Sequence, residues 1–214
     1  MNIAPPRPSP VGGRVFGIIR ERDPMIAVAV AVAARAGGIR AMEVSLVTPG
    51  AGAVVGELVA RFRDTTIGAG TVLTAADAQT AIDAGARFVV SPAFDTEVLE
   101  ACRDRGIAYY PGVLTPQEVW NATRSGASAV KVFPVNAMND DYIRDLRAPF
   151  PQVAMIAVGG IDVARGRRHL AHGAVAIGVG SPLFITPEGA RTGDSAHLAA
   201  ITRAAERFAA LEAS

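Results

Sequence analysis

Apolar residues gather along this chain into short, β-branched runs. Each run leads into an alanine-rich stretch whose apolar positions recur at helical spacing until a glycine interrupts it. Eight such runs are legible, over residues 15–20, 41–46, 65–70, 87–91, 107–111, 129–133, 153–158 and 174–178. They return at intervals of about 25 residues, room for one strand, one helix and two short turns. Helix-start signals stand between them at Asp23-Pro24, Thr48-Pro49, Thr74 with Asp77, and Thr115-Pro116 with Glu118. Gly37-Gly38, Gly85, Gly106, Gly126 and Gly173 fall where those helices should stop. Strands that are apolar throughout predict a parallel sheet with helices on it, and eight units predict closure into a single-domain (β/α)8 TIM barrel over residues 14–214. An open doubly wound sheet is the alternative. Polar residues follow most of the strands, as at the C-terminal rim of a barrel, and favour closure. Residues 1–13 hold Pro5, Pro6, Pro8 and Pro10 with no apolar core of a signal peptide, and are expected to be a flexible tail outside the fold.

Composition changes this picture mainly by exclusion. Half of the 214 residues are hydrophobic and 19% are charged, the balance of a globular chain with ample core. The 21 Lys+Arg and 20 Asp+Glu nearly cancel, and no basic stripe tracks a phosphate backbone, which argues against nucleic acid as a partner. A single cysteine, Cys102, forms no internal disulfide, so a cytoplasmic location is expected. The longest apolar stretch, residues 25–34, falls well short of the roughly 20 residues of a membrane span.

Two charges stand where the pattern calls for apolar residues. Lys131 lies inside the run Ala129-Val130-Lys131-Val132-Phe133. Alternation puts Val130 and Val132 on the helix-facing side and points Lys131 into the barrel. Desolvation there lowers a lysine pKa and frees a neutral amine to attack a carbonyl, forming a Schiff base. A structural ion pair is the competing explanation. Glu43, in Met42-Glu43-Val44-Ser45-Leu46, repeats the anomaly with opposite sign and shares its face with Ser45. On strands two and six of the expected eight, Glu43 and Lys131 meet only across a closed barrel. They either neutralise each other or supply the amine and the proton-transfer group that imine chemistry needs.

The ends of other strands carry softer signals. Gly159-Gly160 and Gly178-Val179-Gly180-Ser181 follow the last two, where barrels commonly bind phosphate through backbone N–H groups, although turn glycines account for such pairs elsewhere. Arg20 ends the first strand and suits an anion clamp or an ordinary surface arginine. Thr71 closes the third strand with a hydroxyl. His169, His172 and His197 form no metal-binding set and are expected on the surface, which leaves no metal site.

In order, Met42-Glu43-Val44-Ser45-Leu46, Gly68-Ala69-Gly70-Thr71-Val72-Leu73, Ser91-Pro92, Tyr110-Pro111-Gly112-Val113, Val130-Lys131-Val132-Phe133-Pro134 and Gly178-Val179-Gly180-Ser181 resemble the 2-keto-3-deoxy-6-phosphogluconate (KDPG) / 4-hydroxy-2-oxoglutarate (KHG) aldolases over residues 15–185. The resemblance implies a cofactor-independent class I aldolase, usually a homotrimer, that cleaves a phosphorylated keto-deoxy sugar acid to pyruvate and a three-carbon aldehyde phosphate. It gives Lys131 the imine and Glu43 the acid/base role. Arg20, Thr71, Pro92, Phe133, Gly159, Gly160, Gly180 and Ser181 become substrate-binding residues. Two departures stand out. Val47 occupies the position of a common arginine, which shifts anion binding to Arg20 and backbone donors. Val158 replaces a common threonine before the glycine pair, as in the 6-phosphogalactonate branch, and bears on which epimer is used. A phosphosugar isomerase or epimerase, or a phosphosugar-binding protein without catalysis, are the alternatives of other classes.

Overall fold

The computed structural model describes residues 11–185 and 192–213. Nine parallel strands form one sheet: β1 (Val15–Ile19), β2 (Ala41–Ser45), β3 (Thr66–Gly70), β4 (Phe88–Val90), β5 (Ala108–Tyr110), β6 (Gly112–Val113), β7 (Val130–Val132), β8 (Met155–Val158) and β9 (Ala176–Val179). Their order is β5-β4-β3-β2-β1-β9-β8-β7-β6. The two edge strands are neighbours in sequence, separated by Pro111 alone. Tyr110 pairs with Val90 on one side of this break, Gly112 pairs with Lys131 on the other, and the Pro111 carbonyl accepts from the Lys131 N–H at 2.8 Å. Proline has no N–H to give a ladder, so the fifth expected run is interrupted there while the barrel closes through it. The eight expected strands are therefore present, the fifth in two pieces.

Helices alternate with the strands: α1 (Pro24–Ala36), α2 (Ala51–Arg61), α3 (Ala75–Asp83), α4 (Thr96–Asp104), α5 (Pro116–Arg124), α6 (Tyr142–Arg147), α7 (Val163–Ala171), α8 (Ser181–Phe184) and α9 (Ser195–Ala209). Asp23 caps α1 from the Met25 N–H at 2.8 Å, and Thr74/Asp77 and Thr115/Glu118 form reciprocal capping boxes on α3 and α5. Thr48 departs from expectation. Helix α2 begins three residues later behind Gly50, whose φ of 66° no β-branched residue would hold easily. Thr48 is instead buried, and its hydroxyl accepts from the Glu21 N–H at 3.2 Å, fastening the β1–α1 loop to the β2–α2 loop.

The core has two shells. β-Branched and alanine side chains on the outward strand faces pack against the helices, whereas Phe16, Phe88, Tyr110, Ile156 and Val158 fill the barrel. The Phe88 ring stands edge-on to Phe16 at 6.2 Å and 5.8 Å from Tyr110. Gly68 makes room for it, since a Cβ there would lie 2.5 Å from the Phe88 ring. Beneath this layer, at the strand starts, Val11 is 1% exposed and packs with Ala41, Ala129, Ala154 and Val175. Burying a valine so completely contributes about 1.5–3 kcal/mol. Residues 11–13, placed in the tail by sequence, thus include a side chain that closes the barrel floor, and residues 1–10 lie outside the described residues.

Candidate active site

Because every strand runs the same way, the inward side chains near the strand ends face one mouth. Lys131, mid-strand on β7, points inward with Ala129 below it, while Val130 and Val132 enter the outer shell. It is 7% exposed, and its Nζ lies 4.9 Å from the centre of the Phe133 ring, a cation–π contact. Glu43 projects from β2 and is 2% exposed. No salt bridge or hydrogen bond joins the two among the described residues, and Glu43 Oε2 has no hydrogen-bond partner. They nevertheless act on each other through the barrel interior from strands that are not neighbours. Burial pushes the Lys131 pKa down, opposed by the charge of Glu43 and assisted by Arg20; burial pushes the Glu43 pKa up, opposed by Lys131 and Arg20. Burial thus opposes charge on both groups, while each one's charge favours the charged form of the other.

Neighbouring residues bound the Glu43 carboxyl. A Cβ at Gly70 would lie 2.5 Å from Glu43 Oε1, so only glycine leaves that carboxyl its place. Ser45, buried on the same inward face, meets the Thr71 hydroxyl at 2.7 Å. Thr71 has φ of 60°, a left-handed conformation that costs a β-branched residue energy and persists where its surroundings enforce it. Sequence reasoning noted Ser45 without giving it a role and missed Gly70; a glycine two residues beyond a strand-lining glycine was the available signal.

The remaining expected residues share the same rim. Arg20 follows β1, is exposed, and is the cation whose charge reaches both Lys131 and Glu43. Val47 is 59% exposed, so the substituted arginine position presents an apolar side chain to solvent. Pro92 and Phe133 line a cavity of about 270 Å³ with Gly112, Leu114 and Asn121. Gly159 and Gly160 follow β8 with φ of 117° and 59°, and Gly180 joins β9 to α8, which Ser181 opens.

The histidines correct the sequence reading. His169 and His197 are buried and only His172 is partly exposed. His197 Nδ1 accepts from the Gly193 N–H at 3.0 Å while Nε2 faces the Phe184 carbonyl at 2.9 Å, tying α9 to the end of α8. His169 shares the inward face of α7 with Gly166 and Leu170, which its basic neighbours concealed. Neither ring nitrogen of His169 has a hydrogen-bond partner among the described residues, and burial, with Arg165 adding to it, lowers its pKa to about 4. Among the described residues no three His, Cys, Asp or Glu side chains come together to hold a metal.

A family model described as KDPG and KHG aldolase matches residues 12–201. The chain is 33% identical over 191 residues to the 2-dehydro-3-deoxy-phosphogluconate aldolase of Treponema pallidum, covering 89% of this chain and 90% of that protein. It is 31% identical over 172 residues to the 2-dehydro-3-deoxy-6-phosphogalactonate aldolase of Escherichia coli, covering 79% and 84%. The KDPG aldolase of Legionella pneumophila, solved with pyruvate captured as a covalent carbinolamine, superposes with a TM-score of 0.81 at 31% identity, over 92% of this chain and 94% of that one. By extent of match, fold and the inward lysine and glutamate, this chain belongs to the KDPG and KHG aldolase family, whose named members are carbon–carbon lyases.

Proposed function

We propose that the chain is a Schiff-base aldolase that cleaves KDPG to pyruvate and glyceraldehyde 3-phosphate, and 4-hydroxy-2-oxoglutarate to pyruvate and glyoxylate. The observation that carries this reading is Lys131: an inward amine, buried, free of any hydrogen bond or salt bridge to a described residue, and pushed toward its neutral form. The neutral Nζ attacks C2 of the substrate to give a carbinolamine. Glu43, in its acid form, protonates the departing hydroxyl, which leaves as water and yields the protonated imine. The resulting carboxylate takes the proton of the C4 hydroxyl. The C3–C4 bond breaks, its electron pair moves into the iminium as an enamine, and the aldehyde departs. Glu43 returns the proton to C3, and water hydrolyses the pyruvyl imine.

Thr71 and Arg20 are the partners for the pyruvyl carboxylate, Pro92 and Phe133 the apolar walls, and Gly159, Gly160, Gly180 and Ser181 the phosphate donors. Incubation with pyruvate and borohydride tests the assignment: a reduced pyruvyl adduct mapping to Lys131 supports it, and none in folded protein overturns it. The galactonate epimer is a second reading. It is favoured by Val158, which is 3% exposed and offers no hydrogen bond beside the glycine pair, and is decided by comparing kcat/KM for the two epimers. A homotrimeric assembly and a cytoplasmic location complete the proposal, with mass in solution and cell fractionation as their tests. No helix among the described residues is long and apolar enough to cross a membrane.

A further inference from the structure

After β7 the chain turns through Phe133 and Pro134 into a 3-10 turn, Val135–Ala137, which packs against the glycine pair following β8. The approach is close. A Cβ at Gly159 would lie 2.8 Å from Asn136 Oδ1 and 3.1 Å from the Val135 nitrogen, and one at Gly160 would lie 3.1 Å from Asn136 Nδ2. The Asn136 carboxamide therefore lies along the glycine turn, on the same rim as Lys131 and five residues from it. It is exposed and makes no hydrogen bond to a described residue. Val158, which precedes the glycine pair, is apolar and leaves that turn without a side-chain hydrogen bond of its own.

We propose that Asn136 is a substrate-binding residue of this aldolase whose Nδ2 group donates to the phosphate-bearing half of the substrate. The inference rests on the aldolase reading. Lys131 fixes the pyruvyl carbons, so the leaving half must extend toward the rim, where the glycine turn and this carboxamide form one wall. A neutral amide supplies donor and acceptor together, which suits a chain of hydroxyls ending in a dianion.

Asn136→Asp keeps the shape and replaces the donor with a carboxylate facing the phosphate. The expected result is a KM for KDPG raised about tenfold or more with kcat changed less than about threefold, because the lost contact is made equally in ground and transition states. Inhibition by inorganic phosphate weakens in parallel. Trapping of pyruvate on Lys131 by borohydride stays at the wild-type rate, since pyruvate carries no phosphate. Asn136→Ala raises the same KM less steeply. A KM within about twofold of wild type for Asn136→Asp overturns the proposal, as does a matched fall in pyruvate trapping and KDPG cleavage, the mark of a merely structural residue. Wild-type protein that traps no pyruvate overturns the aldolase reading itself, an outcome the variants do not imitate.

Discussion

In the proposed mechanism Lys131 and Glu43 divide the labour in a way that substitution separates. Glu43→Gln retains the carboxyl's shape but neither gives nor takes the proton, so turnover is expected to fall by about 10²–10⁴, while stopped assays with borohydride still find some pyruvate on Lys131. Lys131→Met removes the proposed nucleophile, and both signals are expected to disappear. Arg20 tunes the amine from a distance. Its charge lowers the Lys131 pKa, so Arg20→Met lets that pKa rise. Trapping requires the neutral amine and increases with pH, and the rising limb of its profile is expected to move to higher pH in this variant. An unmoved limb would mean that Arg20 acts on the substrate alone. Both charges were legible in the sequence because an ion in an apolar, alternating strand has few explanations. Gly70 and the Ser45–Thr71 contact were not, since their roles depend on how two strands stand side by side.

At the scale of elements, the seam between β5 and β6 is the least conventional part of the barrel. Gly112 opens the second half, and a Cβ there would lie 1.9 Å from the Pro92 carbonyl oxygen. Gly112→Ala must move backbone on one side of the seam and is expected to cost about 1–3 kcal/mol or more, measured as a lowered urea midpoint. Because Lys131 pairs with Gly112, activity should fall further than stability alone accounts for. Tyr110-Pro111-Gly112 reads in sequence as the end of a strand, and so it is, but the strand resumes at once against a different neighbour. Nothing local distinguishes a turn from such an interruption. Thr48 misled in the same manner: Thr-Pro is a common helix opening, and only the β1–α1 loop packed beside it explains why its hydroxyl is used elsewhere.

For the whole molecule, His169 couples folding to acidity. Its folded pKa of about 4 lies below the ordinary value of about 6.5, so below that value the unfolded chain binds a proton that the folded chain refuses. The His169 contribution is fully present above about pH 7 and is lost progressively between pH 6.5 and 4, by about 3 kcal/mol in all. His169→Leu, which removes two unpartnered nitrogens and keeps an apolar body, is expected to flatten the thermal midpoint against pH over that interval; a profile unchanged from wild type would place the proton elsewhere. The barrel as a whole was the most legible level. Eight evenly spaced units leave few architectures, and the coupling of charges on non-adjacent strands agrees with closure.

The packed floor built from Phe16, Phe88 and Tyr110 above Val11 closes the barrel below the site among the described residues. Traffic must then be sequential. In the proposed mechanism the pyruvyl fragment is still bound to Lys131 when the carbon–carbon bond breaks, so the aldehyde leaves through the open end of the barrel first and water follows to free the lysine. The aldehyde is therefore first out and pyruvate last, so in the cleavage direction pyruvate competes with the sugar acid for free enzyme, whereas the aldehyde drives the enzyme-bound fragment backward into substrate.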